Sequence, residues 1–267
     1  MSDLNLYFQR IHYTGAPAKD YATLAAIHHQ HLMHIPYENG DVQLSVALDF
    51  NFERIFEKLV INKRGGWCYE MNGLLAWALE EIGFEVRRMS GAVGREADGD
   101  VQRGNHLVLE VMVDGKPFLA DVGLGDGLRF PIEIAAGKHK QAGLDYALTK
   151  LDDGFWRLHN HEFSSVSSFD FRHDLADESE LTDKCQWLQK DHTSPFKMLL
   201  IVNRFTTDTI EVQLGKIHTT ITTGGKSSRT LETPEEFHTN LQEVFGLGLD
   251  LTSIWPEIEA AHTKYLS

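Results

Sequence analysis

One cysteine of this chain stands where a thiol can act as a nucleophile. Two glycines lie just before it in the stretch Arg64-Gly65-Gly66-Trp67-Cys68-Tyr69-Glu70-Met71-Asn72, and apolar residues then recur at helical spacing as far as Gly83. The pattern predicts a helix that starts at or near Cys68. Unpaired N–H groups and the backbone dipole at a helix start stabilise a thiolate and make a cysteine there nucleophilic. The alternative is a small buried cysteine in a packed helix start.

A histidine and an aspartate are brought together by a predicted β-hairpin. Asp114-Gly115 separates two strand-like runs, 104–113 and 116–122, and is a strong signal for a two-residue type I′ turn. In the register that this turn sets, His106 and Asp121 are diagonal neighbours on one face, with Cα atoms roughly 7–8 Å apart. The hairpin therefore predicts an imidazole within reach of a carboxylate. A contact between two surface side chains is the alternative.

Cys68, His106 and Asp121 together form a candidate catalytic triad. In such a triad the histidine takes the thiol proton, the aspartate fixes the imidazole tautomer and supports the imidazolium, and the thiolate attacks an acyl carbon. N–H groups at the predicted helix start could stabilise the resulting oxyanion. The same three residue types serve acyl transfer and amide hydrolysis.

The remaining pattern predicts the elements that must position these residues. Two helices, at 18–33 and 51–60, precede the one at Cys68. Short strands extend the hairpin into a small barrel or sandwich, at 145–150, 155–158 and 162–171. A linking helix at 174–189 holds Cys185 as a packing residue. After it we predict strands at 198–206, 209–214 and 216–223, and a helix capped by Thr233.

Four segments, in order along the chain, resemble the signature of the arylamine N-acetyltransferases. They are Pro36-Tyr37-Glu38-Asn39, the stretch Arg64–Asn72, His106 at a strand start, and Asp121-Val122-Gly123-Leu124-Gly125. Ser194-Pro195-Phe196 extends the likeness, which is diffuse after about residue 200. Within these motifs we expect Glu38 and Arg64 to pair and so to hold the loop before Cys68.

The resemblance implies an α+β fold with a papain/transglutaminase-like core in three parts. Residues 1–84 would form a helical bundle that carries the nucleophile Cys68. Residues 85–190 would form a β-barrel that carries His106 and Asp121, and residues 191–267 an α/β lid. The triad would lie between the first two parts.

The resemblance also implies the reaction. Acetyl-CoA would acetylate Cys68, and an arylamine, arylhydrazine or N-hydroxyarylamine would then take the acetyl group in a ping-pong mechanism, with O-acetylation as a further outcome. Gly123 and Gly125 are candidates to approach CoA through their backbone, and a simple tight turn is the alternative. Members of the family often carry Phe where this chain has Leu124, which leaves the preferred amine open.

Three other functions fit the same residues. One is a related acyltransferase or amide synthase that uses a different acyl donor. Another is an amide hydrolase of papain or transglutaminase type, which would need no acetyl-CoA. The third is a non-catalytic binding protein that keeps the fold, and the intact triad argues against it.

Composition restricts the class of protein. The 267 residues include 39 acidic and 25 basic ones, for a formal net charge of −14, so the basic footprint of a nucleic-acid-binding protein is missing. The chain has only two cysteines, which argues against a disulfide framework and favours a reducing compartment. We expect a cytoplasmic protein, since the first residues lack the pattern of a signal peptide and no apolar run approaches the ~20 residues of a membrane helix. The sequence leaves the oligomeric state open.

A histidine cluster near the N-terminus is the other group that could bind a ligand. His28, His29, His31 and His34 lie close together, and His28 and His31 could share a helix face. No carboxylate or cysteine completes a recognisable zinc-ligand spacing. We therefore predict no metal site and expect partly exposed structural histidines.

Overall fold

The first part of the chain is helical because apolar residues recur at helical spacing and polar side chains cap the helix starts. Asp3, Asp20 and Asn51 each accept a backbone N–H at an N-cap. The computed structural model describes residues 3–266. Its first helices are α1 (Leu4–Arg10), α2 (Tyr21–His34), α3 (Gly40–Gln43), α4 (Phe52–Phe56), a π-helical turn (Glu57–Ile61) and α5 (Cys68–Ile82). Across residues 3–266, the structure contains no helix with the length and apolar character that crossing a membrane requires.

The middle of the chain forms an antiparallel sheet of eight strands that is nearly closed into a barrel. Its order along the sheet is β5-β4-β3-β2-β9-β8-β7-β6. The strands are β2 (Glu85–Val93), β3 (His106–Val113), β4 (Lys116–Ala120), β5 (Ile132–Glu133), β6 (Gly137–Gln141), β7 (Leu144–Lys150), β8 (Trp156–His159) and β9 (Ser168–Phe171). A short helix, α6 (Arg95–Asp98), and a 3₁₀ turn (Gly99–Gln102) connect β2 to β3.

The β3–β4 hairpin has the predicted turn. Asp114 and Gly115 have φ angles of 50° and 75°, as a type I′ turn requires, and Val113 lies opposite Lys116. Strand pairing ends where Leu109 faces Ala120, two residues before the predicted strand end. The ladder stops there because the next backbone N–H groups bond to side chains of the helical region instead of to β3.

The last part of the chain packs helices against a second sheet. This sheet has the order β1-β10-β11-β12-β13. Its strands are β1 (Tyr37–Glu38), β10 (Ile201–Phe205), β11 (Ile210–Leu214), β12 (Ile217–Thr222) and β13 (Gly225–Thr230). The helices are α7 (Glu178–Lys190), α8 (Pro195–Met198), α9 (Pro234–Glu243) and α10 (Trp255–Tyr265), with a 3₁₀ turn (Thr252–Ile254) before the last. The helical region, barrel and C-terminal α/β region confirm the predicted fold class.

Strand β1 is a feature that the sequence did not reveal. Tyr37 and Glu38 follow a proline turn and read as a loop, yet they pair with Asn203 and Val202 of β10. Tyr37 also forms a parallel bridge to Gly66, just before the nucleophile. One sheet thus draws strands from both ends of the chain, and the division at residues 84 and 190 stays a prediction.

A continuous hydrophobic core holds α5 against the barrel. Tyr7 of α1, Leu24 of α2 and Leu75 of α5 are fully buried in the same cluster as Leu109 of β3 and Leu148 of β7. Burying a side chain of this kind stabilises the fold by about 1.5–3 kcal/mol. Because α5 and β3 pack together, the start of α5 lies close to the start of β3.

Candidate active site

Cys68 is the first residue of α5, as predicted, and it is buried. Glu70 accepts the N–H of Trp67 through its carboxylate at 3.2 Å, and its own N–H donates to the Trp67 carbonyl at 3.0 Å. The amides of Cys68 and Tyr69 have no acceptor among residues 3–266. Two unpaired donors therefore remain at the start of this helix, beside the thiol.

A buried ionic network holds the loop that leads to the nucleophile. The Arg64 guanidinium donates to Glu38 at 2.6 Å and to Asp41 at 2.9 Å, which confirms the predicted pairing of Glu38 with Arg64. Lys58 continues the network, since its ammonium group lies 2.8 Å from both Asp41 and Glu70. Glu70 in turn caps the first turn of α5, so the network fixes both the loop and the helix start.

His106 and Asp121 form a buried hydrogen-bonded pair. The His106 Nε2 and Asp121 Oδ2 atoms are 2.8 Å apart, and the two residues are 2% and 3% exposed. The pair is therefore not a surface contact. Nε2 is directed at the carboxylate, so the other ring nitrogen is left for a further partner. The Cys68 thiol itself lies 3.9 Å from the carbonyl of Asn105, the residue just before His106.

In the His106–Asp121 pair, each residue stabilises the charged form of the other. Burial by itself lowers the pKa of His106, but the charge and hydrogen bond of Asp121, together with the Cys68 thiol, outweigh burial and raise the pKa to about 10. Burial likewise favours neutral Asp121, but the His106 charge and several hydrogen bonds lower the pKa of the Asp121 carboxyl overall. The arrangement thus favours an imidazolium next to a carboxylate.

Asn72 links the helix of the nucleophile to the carboxylate. Its Nδ2 donates to Asp121 Oδ1 at 2.8 Å and to the Leu107 carbonyl at 2.6 Å, and its Oδ1 accepts the N–H of Val122 at 2.9 Å. The N–H of Gly123 adds a further donor to Asp121 Oδ1 at 2.8 Å. Asn72 therefore orients the Asp121 carboxylate from the helix that carries the nucleophile.

His28 contacts the site, which sequence reasoning missed. Its Nε2 accepts the backbone N–H of Asp121, and its Nδ1 lies near the carbonyl of Arg129, both at 3.1 Å. The expectation of partly exposed histidines is wrong for His28 and His31, which are completely buried. Burial lowers the pKa of His28 to about 4, which keeps the ring neutral. Helical spacing indicated that His28 and His31 share a face, but it could not indicate which residues they contact.

The two glycines predicted near CoA each have a packing reason to lack a side chain. A Cβ atom on Gly123 would lie 2.8 Å from Cys68 Cα and 2.6 Å from Asn72 Nδ2. Gly125 has a φ angle of 89°, and a Cβ there would lie 2.9 Å from Asn203 Nδ2. These contacts place the turn directly against the nucleophile, and its approach to CoA stays a prediction.

The second cysteine and the histidine cluster show no comparable chemistry. Cys185 is buried in α7 with Gln189 Nε2 3.3 Å from its sulfur, and burial raises the pKa of its thiol to about 12, so it is a packing residue as predicted. Within the described range 3–266, no three His, Cys, Asp or Glu side chains are grouped so that they could hold a metal ion.

Comparison with known proteins places this site in a family. A sequence profile described as N-acetyltransferase matches residues 20–254. The arylamine N-acetyltransferase of Escherichia coli (strain K12) is 32% identical over 251 residues, which cover 92% of this chain and 89% of that protein. This chain belongs to the arylamine N-acetyltransferase family. The family resemblance of the four sequence motifs is thereby confirmed.

Two further arylamine N-acetyltransferases match this chain over different lengths. The protein of Mycolicibacterium smegmatis is 44% identical over 158 residues, or 57% of this chain, and the match spans 58% of the length of that relative. The structure of the Mycobacterium marinum arylamine N-acetyltransferase in complex with CoA superposes with a TM-score of 0.87 at 27% identity, and covers 98% of this chain and 99% of that one.

Proposed function

We propose that this chain catalyses the acetyl-CoA-dependent N-acetylation of arylamines, arylhydrazines and N-hydroxyarylamines, with O-acetylation as a further outcome, through an acetyl thioester on Cys68. The observation that carries this proposal is the buried His106–Asp121 hydrogen bond of 2.8 Å, beside a cysteine at the start of α5 that packs against the same turn. Family membership supports the reaction type, and the M. marinum relative with CoA supports the donor.

The first half-reaction would move the acetyl group onto the protein. The thiol proton resides on His106, as the imidazolium that Asp121 stabilises, and the thiolate of Cys68 attacks the thioester carbonyl carbon of acetyl-CoA. The unpaired amides of Cys68 and Tyr69 are positioned at the helix start to donate to the oxyanion. When the bond to the CoA sulfur breaks, His106 returns the proton to CoA, which leaves as the free thiol.

The second half-reaction would move the acetyl group onto the acceptor. The amine nitrogen attacks the thioester carbonyl on Cys68 and passes a proton to His106. The carbon–sulfur bond then breaks, the N-acetyl product leaves, and the proton on His106 restores the starting state of the pair. Asp121 keeps the imidazole ring oriented throughout, because Asn72 and Gly123 hold its carboxylate in place.

Three finer assignments belong to the same proposal. The backbone of the turn at Gly123 and Gly125 is our candidate contact for CoA, because that turn lies against Cys68. The helical bundle, barrel and lid would divide at residues 84 and 190. A cytoplasmic location fits the two free cysteines, Cys68 and Cys185.

Intact mass spectrometry after mixing with acetyl-CoA, without an amine, tests the proposal. We expect one acetyl adduct on the wild type, none on Cys68→Ala and an unchanged adduct on Cys185→Ala, which is the matched control. A wild type that gains no adduct would contradict the proposal. Turnover of glutamine or peptide amides without acetyl-CoA would instead favour the hydrolase alternative.

A further inference from the structure

A row of side chains on β10 faces the candidate active site, and the middle one is polar. Ile201, Asn203 and Phe205 point to the same face because side chains alternate along a strand. Ile201 packs against the cluster that contains Cys68, and Phe205 belongs to the main core. Asn203 lies between these two apolar residues and is only 3% exposed.

The side-chain oxygen of Asn203 has no hydrogen-bond partner inside the described part of the protein. This Oδ1 atom is buried without a donor among residues 3–266. Such a group has lost its bonds to water without replacing them, which is unfavourable and therefore uncommon in native proteins. The amide faces Gly125, in the turn that packs on Cys68. A ligand next to the nucleophile could supply the missing partner.

Tyr37 brings a phenolic hydroxyl to the same place. It lies directly opposite Asn203 across β1 and β10, so both side chains extend from the same face of the sheet, with Cβ atoms about 4.5–5.5 Å apart. Tyr37 packs in the hydrophobic cluster of Cys68 and is 7% exposed. Burial first, and then the charge of Cys68, raises the pKa of Tyr37, in agreement with a hydroxyl near the nucleophile.

The charges that act on Tyr37 are acidic. They come from Cys68, Asp121, Asp126 and Glu70. The cation of His106 is paired with Asp121. The guanidinium of Arg129, which follows the same turn, donates to the carbonyls of Thr206 and Thr209. A neutral hydrogen-bonding group is therefore a better match for the two side chains than a carboxylate.

We propose that Tyr37 and Asn203 form a specificity site for the acceptor, which we call the Tyr37–Asn203 site; this inference rests on the proposed function. The site selects arylamines whose ring carries a neutral hydrogen-bonding substituent, a phenolic hydroxyl or a carboxamide, over arylamines with an alkyl group of the same size. A phenol both donates and accepts, as do the hydroxyl and the amide that would meet it. An acceptor without such a group would leave both protein groups unpaired.

Acetylation of para-aminophenol and para-toluidine, which differ by a hydroxyl and a methyl group, tests the site. We expect the ratio of their kcat/KM values to fall about 10-fold in Tyr37→Phe and in Asn203→Leu. Each ratio is compared with that of the wild type, so the different reactivities of the two amines cancel. Tyr13→Phe, which removes a hydroxyl beside Phe8 in the helical region, is the control and should keep the wild-type ratio. An unchanged ratio in both site variants would overturn the proposal.

A binding experiment separates this proposal from the proposed function. Calorimetry measures the affinity of the wild type for para-acetamidophenol and for para-methylacetanilide, the two N-acetylated products, without any transfer step. We expect tighter binding of the phenol and loss of that preference in Asn203→Leu, with an unchanged or higher melting temperature because the lost amide oxygen had no internal partner. Equal affinities in the wild type would overturn the specificity site, whereas a missing acetyl adduct on Cys68 would overturn the proposed function alone.

Discussion

The polar side chains around Cys68 differ in whether the protein itself satisfies their hydrogen bonds. Arg64, Lys58 and Asp121 each contact two or more partners, and we call them and those partners the paired cluster. In the Tyr37–Asn203 site, on the facing strands β1 and β10, the Asn203 Oδ1 atom is buried without a hydrogen-bond partner among residues 3–266. The paired cluster thus holds in place the atoms that would react, whereas the Tyr37–Asn203 site keeps a polar atom available for a ligand.

The largest effect should follow from removing one charge of the paired cluster. In Asp121→Asn the side chain keeps its shape but no longer supports the His106 imidazolium, so acetylation of Cys68 should slow on the order of 10⁴-fold. Rapid-quench mass spectrometry of the acetyl adduct measures this rate. Cys185→Ala should react like the wild type, and an Asp121→Asn variant within tenfold of it would show that the charge is not needed.

Breaking the ionic network should destabilise the fold. Arg64→Gln leaves the buried carboxylate of Glu38 without its cation and leaves Asp41 with Lys58 alone, which should reduce the free energy of unfolding by about 3–5 kcal/mol. Denaturant titration measures the change. Arg54→Gln is the matched control, because Arg54 and its partner Asp49 are 72% and 49% exposed and the change there should stay below about 1 kcal/mol. Equal stability of the two variants would refute a special role for the network.

The His106–Asp121 pair should make stability depend on pH. Because the fold raises the pKa of His106 from 6.5 to about 10, the folded state holds this proton more tightly than the unfolded chain. The resulting stabilisation is complete below about pH 6.5 and is lost as the pH rises through about 10. The difference in unfolding free energy between the wild type and His106→Gln should therefore shrink over this range. A difference that stays constant with pH would mean that His106 is neutral in the fold.

The smallest expected effects concern two single side chains, His28 in the paired cluster's surroundings and Asn203 in the Tyr37–Asn203 site. His28→Leu removes the acceptor of the Asp121 N–H and should reduce the free energy of unfolding by about 1–3 kcal/mol. Asn203→Leu removes a buried amide oxygen that has no partner and should not reduce it. Thermal unfolding of both variants measures the contrast. Equal losses in the two would remove the distinction between the paired cluster and the Tyr37–Asn203 site.

Some features of the site could be predicted because they depend on residues that are close in sequence. Asp114-Gly115 specified a turn whose positive φ angles set the register of β3 and β4, and this register brought His106 to Asp121. The glycines before Cys68 and the apolar spacing after it located the start of α5 correctly. The family motifs added the pairing of Glu38 with Arg64.

Other features could not be predicted from local patterns. The early end of the hairpin depends on His28 and Asn72, which take the backbone N–H groups of Asp121 and Val122. Turn preferences carry no information about acceptors on a distant helix. Strand β1 could not be predicted either, because it has only two residues and these are too few to show the alternation of apolar and polar side chains that indicates a strand.

Local sequence signals suffice for part of this protein: the helix that starts at Cys68 and the turn that aligns His106 with Asp121. The packing of distant segments sets which groups around the nucleophile have their hydrogen bonds satisfied and which do not. Tyr37 and Asn203 meet through a strand pair between two ends of the chain. Backbone preferences act between neighbours along the chain, whereas burial and hydrogen-bond satisfaction depend on which distant residues the packed core brings together.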